Sequence, residues 1–128
     1  MKQSNVAIYV RTATKSQIED NGIKDQKTSL LTFMATLKSD QVPGDTDPMV
    51  YEDGGYSGMT MARQGLENLL RDIRSHKVDV LLVSDLARLS RNVMHLTELC
   101  RELKNHSVRL FVATHGTQQF EFMGMAVA

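Results

Sequence analysis

Four arginines stand where a chain can hold an anion. Arg11 follows the apolar run Val6 to Val10 directly and opens a polar loop, Arg11 to Gln17, dense in cationic and hydroxyl groups. Arg88 and Arg91 lie in the polar segment Ser84 to Asn92, after a second apolar run. On a helical turn their spacing would put them on one face. Two guanidiniums on one face repel unless an anion lies between them, and their planar forks match the oxygens of phosphate. Arg63 closes the glycine-bearing stretch Glu52 to Arg63, from which a flexible loop could swing it inward. Asp53 could orient an arginine or hold a hydroxyl. Each feature also has a plainer reading. Arg88 and Arg91 could be solvated surface groups, Arg11 could be salt-bridged to Asp53 or Asp85, and Asp53 could merely cap a turn.

The other reactive side chains carry less. Gly54, Gly55 and Gly58 form no phosphate-binding fingerprint, since both GxGxxG and GxxxxGK are absent. His76, His95, His106 and His115 lack the spacing of metal ligands, so no metal and no other cofactor is expected. Met59, Met61, Met123 and Met125 could face a partner, although methionine more often fills a core. Cys100 sits on an apolar helical stripe and reads as a packed core residue.

The elements that must position the arginines follow from periodicity. Val6 to Val10 reads as a buried strand, Met49 to Tyr51 as a short second strand, and Val78 to Val83 and Val108 to Ala113 as the third and fourth. Ile23 to Leu37 carries a helical stripe of Ile23, Leu30, Phe33, Met34 and Leu37, with Asp20 or Asn21 as its cap. Leu66, Leu69, Leu70 and Ile73 mark a second helix, and Val93, Leu96, Leu99, Cys100 and Leu103 a third. Lys38 to Pro48 reads as a loop. Alternation of strand and helix predicts an α/β fold: a mostly parallel sheet of four to five strands with helices on both faces. Arg11, Asp53 and Ser84 to Arg91 would then follow strands and share the carboxyl edge of the sheet, where open α/β folds bind ligands. Gln118 to Ala128 reads as an extended piece turning into the start of an apolar helix.

Bulk properties set bounds. One domain is expected of 128 residues. The 15 basic and 15 acidic residues cancel, so an anion site must be local rather than a property of the whole surface. The single cysteine excludes an internal disulfide and fits a reducing compartment. No signal peptide and no membrane span is read, and a cytoplasmic location with no membrane partner is expected.

Three blocks, YVRTATKSQ, EDGGYSGMTMARQGL and LLVSDLARLSRN, together resemble the signature blocks of the serine recombinase catalytic domain, shared by resolvases, invertases and serine integrases. They fall in the family's order and spacing, and the resemblance covers residues 6 to about 115. It implies a resolvase-like, three-layer fold and site-specific DNA recombination. In that family a serine attacks a DNA phosphodiester, forms a 5′-phosphoserine link and frees a 3′-hydroxyl, without a metal. By resemblance Arg11, Arg63, Arg88 and Arg91 hold the phosphate and stabilise the transition state. Gln17 and Asp53 give polar support, and Tyr9, Gln26, Ser57 and Asp85 are further supporting candidates. DNA is the implied partner. A homodimer or tetramer is implied for the full-length protein, and a monomer or weak associate for residues 1–128. These residues would end at the start of the family's dimerisation helix.

Two departures stand out. Ala13 occupies the position of the nucleophilic serine, so the chain is expected to be inactive as written. Ala87 stands where many members carry aspartate, although some place it two residues earlier, as Asp85 stands here. Ala13 is either an engineered Ser→Ala change or the mark of a natural, non-enzymatic relative that binds DNA or a partner recombinase. An unrelated flavodoxin-like regulatory domain is the third reading, and the arginine set and the lack of an acidic phospho-acceptor pocket argue against it.

Overall fold

The computed structural model describes residues 5–12, 22–37, 47–54, 64–116, 121–122 and 125–126. Strand β1 (Val6–Thr12) leads to helix α1 (Gly22–Thr36), β2 (Met49–Gly54), α2 (Gln64–Arg74), β3 (Val80–Val83), the single turn α3 (Leu86–Leu89), α4 (Val93–Asn105) and β4 (Arg109–Val112). A 3-10 turn, Ala113–His115, follows.

The strands form one parallel sheet in the order β2-β1-β3-β4. This is the α/β fold expected from the alternation of apolar runs and helical stripes. Alternate residues of each strand enter opposite faces. Val6, Ile8 and Val10 pack with Val80, Leu82 and Phe111 against Leu30 and Met34 of α1. Ala7, Tyr9, Leu81, Val83, Leu110 and Val112 pack on the other face against Leu66, Leu69 and Ile73 of α2 and Leu96, Leu99 and Leu103 of α4. Every residue of β3 is buried, which is why its sequence is continuously apolar rather than alternating.

Several boundaries differ from the sequence expectation. Strand β2 runs on to Gly54, because pairing with β1 continues through Arg11↔Asp53 and Thr12↔Gly54. Arg11 and Asp53 therefore stand within the last residues of strands, not in the loops after them. Strand β3 begins at Val80 instead of Val78, where its pairing with Val6 starts. Within the polar segment 84–92 the chain closes one helical turn, which buries Leu89. At the far end, Met125–Ala126 is a short strand antiparallel to Glu121–Phe122, not the beginning of a helix. Cross-strand pairing of Glu121 with Ala126 and of Phe122 with Met125 holds these residues extended although Met and Ala are good helix formers. The expected loop 38–46 and the caps Asp20 and Asn21 lie outside the described residues. Among the described residues, no helix is long and apolar enough to cross a membrane.

Candidate functional site

The carboxyl ends of β1 and β3 bring Arg11 and Arg88 together across 77 positions of sequence. Arg11 is fully buried, with 0% of its surface exposed. Its guanidinium donates from Nη2 to the Ala87 carbonyl at 2.8 Å and from Nε to the Arg88 carbonyl at 3.2 Å. Both carbonyls belong to the last turn of α3, and helix ends leave such oxygens without intrahelical partners. The exchange is reciprocal, since Arg88 donates from Nη1 to the Arg11 carbonyl at 2.9 Å. Two cations can lie side by side here because each is turned towards carbonyl oxygens.

Neither aspartate named as a partner for Arg11 pairs with it. Asp85 Oδ2 lies 3.5 Å from Arg88 Nε. Asp53 is 2% exposed, and its carboxylate receives the Tyr9 hydroxyl at 2.7 Å, the Gly65 N–H at 2.7 Å and the Leu66 N–H at 2.8 Å. The last two are unsatisfied donors of the first turn of α2, so Asp53 caps that helix from a neighbouring strand. The contact demands glycine at position 65, where a Cβ would lie 2.4 Å from the Glu52 carbonyl oxygen.

Gln26, on the buried face of α1, holds the Arg11 main chain. Its Oε1 accepts from the Arg11 N–H at 3.1 Å, and its Nε2 donates to the Arg11 carbonyl at 2.7 Å. Arg91 is exposed and does not share a helical face with Arg88, contrary to the sequence spacing. Helix α3 ends at Leu89 and Ser90 is extended, with φ −166°. Ser90 Oγ then accepts from the Asn92 N–H at 3.0 Å, and Asn92 Oδ1 caps α4 through the N–H groups of Met94 and His95.

Sequence reasoning named Gln26 only by resemblance and missed the Gly65 approach and the Asn92 cap. A signal for Gln26 was present, because it interrupts the apolar stripe between Ile23 and Leu30. Ala87 contributes its carbonyl, so Arg11 makes no use of a side chain at that position. Ala13, Gln17, Ser57 and Arg63 lie outside the described residues. Cys100 is packed inside α4, where burial pushes its thiol up to about 11, so it is protonated and unreactive near neutral pH. Among the described residues, no group of three or more His, Cys, Asp or Glu side chains could hold a metal ion.

Residues 6–127 match the family described as "Resolvase, N terminal domain". A curated relative, a "Putative DNA recombinase" of Bacillus subtilis (strain 168), is 30% identical over 106 residues, which are 82% of this chain and 19% of the relative. The chain thus spans about a fifth of that protein's length. Among solved structures, the N-terminal catalytic domain of TP901-1 integrase superposes with a TM-score of 0.75 at 26% identity, over 94% of this chain and 86% of that one. A resolvase family site-specific recombinase from Streptococcus pneumoniae gives 0.68 at 26% identity, over 91% and 76%. A serine recombinase from Sulfolobus solfataricus gives 0.66 at 26% identity, over 94% and 73%.

Proposed function

This chain belongs to the family of resolvase N-terminal domains, and from that premise we propose that it is the catalytic domain of a site-specific DNA recombinase. The observation that carries the reading is the meeting of Arg11 and Arg88 at the carboxyl edge of the sheet. Position 13 follows Arg11 by two residues in the chain. A nucleophile at 13 would attack a DNA phosphorus, and the bond to the departing 3′-oxygen would break. The arginines would offset negative charge gathering on the phosphoryl oxygens. Removing one such donor costs about 3 kcal/mol of transition-state stabilisation. Arg11, Arg63, Arg88 and Arg91 are the proposed phosphate ligands, with Gln17 as proposed polar support. Asp53 and Tyr9 act through the cap of α2 instead of on the phosphate. The Ala87 and Arg88 carbonyls take two of the five N–H donors of the Arg11 guanidinium and fix its orientation, and phosphate would be met by other N–H groups of the same fork.

The Ala13 side chain carries no oxygen, so this chain as written does not cleave DNA and on its own binds it poorly. DNA is its proposed partner. Dimer or tetramer assembly and tight DNA binding are assigned to chain outside residues 1–128, a reading supported by the far greater length of the Bacillus subtilis relative. A cytoplasmic location fits the one buried, reduced cysteine.

The test is Ala13→Ser in a full-length protein, given nicked DNA carrying its cognate site. The expected result is a covalent adduct through a 5′-phosphate that persists in EDTA and is lost on Arg88→Ala. A second reading, a non-enzymatic accessory domain, is favoured by Ala13 itself. It prevails if Ala13→Ser binds and synapses the site without forming an adduct.

A further inference from the structure

Strand β3 pairs with β1 only from Val6 to Ile8, opposite Val80 to Leu82. Among the described residues no strand lies beside this edge of β1 beyond Ile8, yet Arg11 is completely buried there. Buried main-chain groups need partners. The Gln26 carboxamide supplies them, accepting from the Arg11 N–H and donating to the Arg11 carbonyl, as a neighbouring strand would. Gln26 is 8% exposed and rides on α1, whose Leu30 and Met34 are sunk in the core with Ile8 and Val10. Its grip is therefore tied to the rigid part of the fold. The Arg11 carbonyl also receives Arg88 Nη1, so one oxygen gathers α1, β1 and α3 at a single point.

We propose that Gln26 is the positioning residue of this site. It touches no phosphate. By holding both main-chain groups of Arg11 it sets where β1 ends, and so the point from which the chain runs on to position 13. It also sets the carbonyl on which Arg88 is aimed. The role rests on the recombinase reading, whereas the grip itself does not.

Two measurements separate them. In the chain as it stands, hydrogen exchange is followed at single amides in Gln26→Leu and Gln26→Glu. Leucine removes both bonds, and the Arg11 amide should exchange at least about tenfold faster while Ile8 and Leu82 keep their protection. Glutamate retains the acceptor, and the Arg11 amide should stay protected. In full-length Ala13→Ser protein, Gln26→Leu should slow adduct formation at saturating DNA by about tenfold or more, since small misplacements are costly in rate. The DNA concentration for half-saturation should stay within about twofold, because no phosphate contact is lost. Gln26→Glu should fall between the two. An Arg11 amide indifferent to Gln26→Leu overturns the grip. A lost grip with an unchanged adduct rate overturns the positioning role alone. An Ala13→Ser protein that keeps Gln26 and forms no adduct overturns the recombinase reading, and the positioning role with it.

Discussion

Asp53→Ala should be among the most destabilising single changes in this domain. The carboxylate is buried and receives three short bonds, from the Tyr9 hydroxyl and from the N–H groups of Gly65 and Leu66. Alanine removes the bond that the buried Tyr9 hydroxyl makes to a charged acceptor, at a cost of about 1–3 kcal/mol. Loss of the cap on α2 adds about 1–2 kcal/mol. Together the change should cost about 2–5 kcal/mol, a large share of the roughly 5–15 kcal/mol that holds a typical domain together. With an m-value of about 2 kcal/mol/M, the urea midpoint should fall by about 1–2.5 M. Equilibrium unfolding followed by far-ultraviolet circular dichroism reads this directly. Tyr9→Phe alone should cost about 1–2 kcal/mol, and the double variant should be clearly less unstable than the sum, because both single changes remove the same Tyr9–Asp53 bond. Stability in DNA-free protein separates two roles for Asp53. A carboxylate kept for work beside a bound phosphate gains nothing in DNA-free protein, and its removal would leave stability unchanged or raise it. An Asp53→Ala midpoint within about 0.5 M of the parent, or a strictly additive cycle, would refute the structural role.

Two further outcomes follow from the same packing. Gly65→Ala should destabilise by about 2 kcal/mol in the same urea titration although alanine is the better helix former, because its Cβ would meet Glu52 backbone atoms at 2.4 and 2.8 Å; a stabilised variant would contradict that approach. The Cys100 thiol is raised from 9.0 to about 11 by burial, so it should resist thiol reagents at pH 8 in the folded chain, and stability should decline as pH rises from about 9 to 11, where the unfolded chain ionises first; Cys100→Ala should lack that part of the decline.

Strand and helix succession was legible because it rests on periodicity. The apolar run ending at Val83 and the stripe Leu66, Leu69, Ile73 report burial on one face or two, and burial dictates those patterns whatever the neighbours are. The carboxyl-edge location of Arg11 and Arg88 was legible for the same reason, since a parallel sheet puts the ends of all its strands on one side. Strand ends were less so. They depend on how far a partner continues, as β2 does beside Arg11 and Thr12, and no single segment records its partner's length.

The bonds of the charged groups were decided by the tertiary structure alone. Position 53 could have served an arginine, a hydroxyl or a turn, and sequence had no means of choosing. What chose was the start of α2 lying against the end of β2, so closely that position 65 must be glycine. Arg11 likewise needed an acceptor, and the obvious acceptors by charge were aspartates. The fold instead brings the unsatisfied carbonyls of a four-residue helix to it, 76 and 77 positions away. Backbone carbonyls are the same at every residue and leave no trace in a sequence. A chain therefore advertises its charged side chains, while the main-chain oxygens that hold them appear only when strands and helices are set side by side.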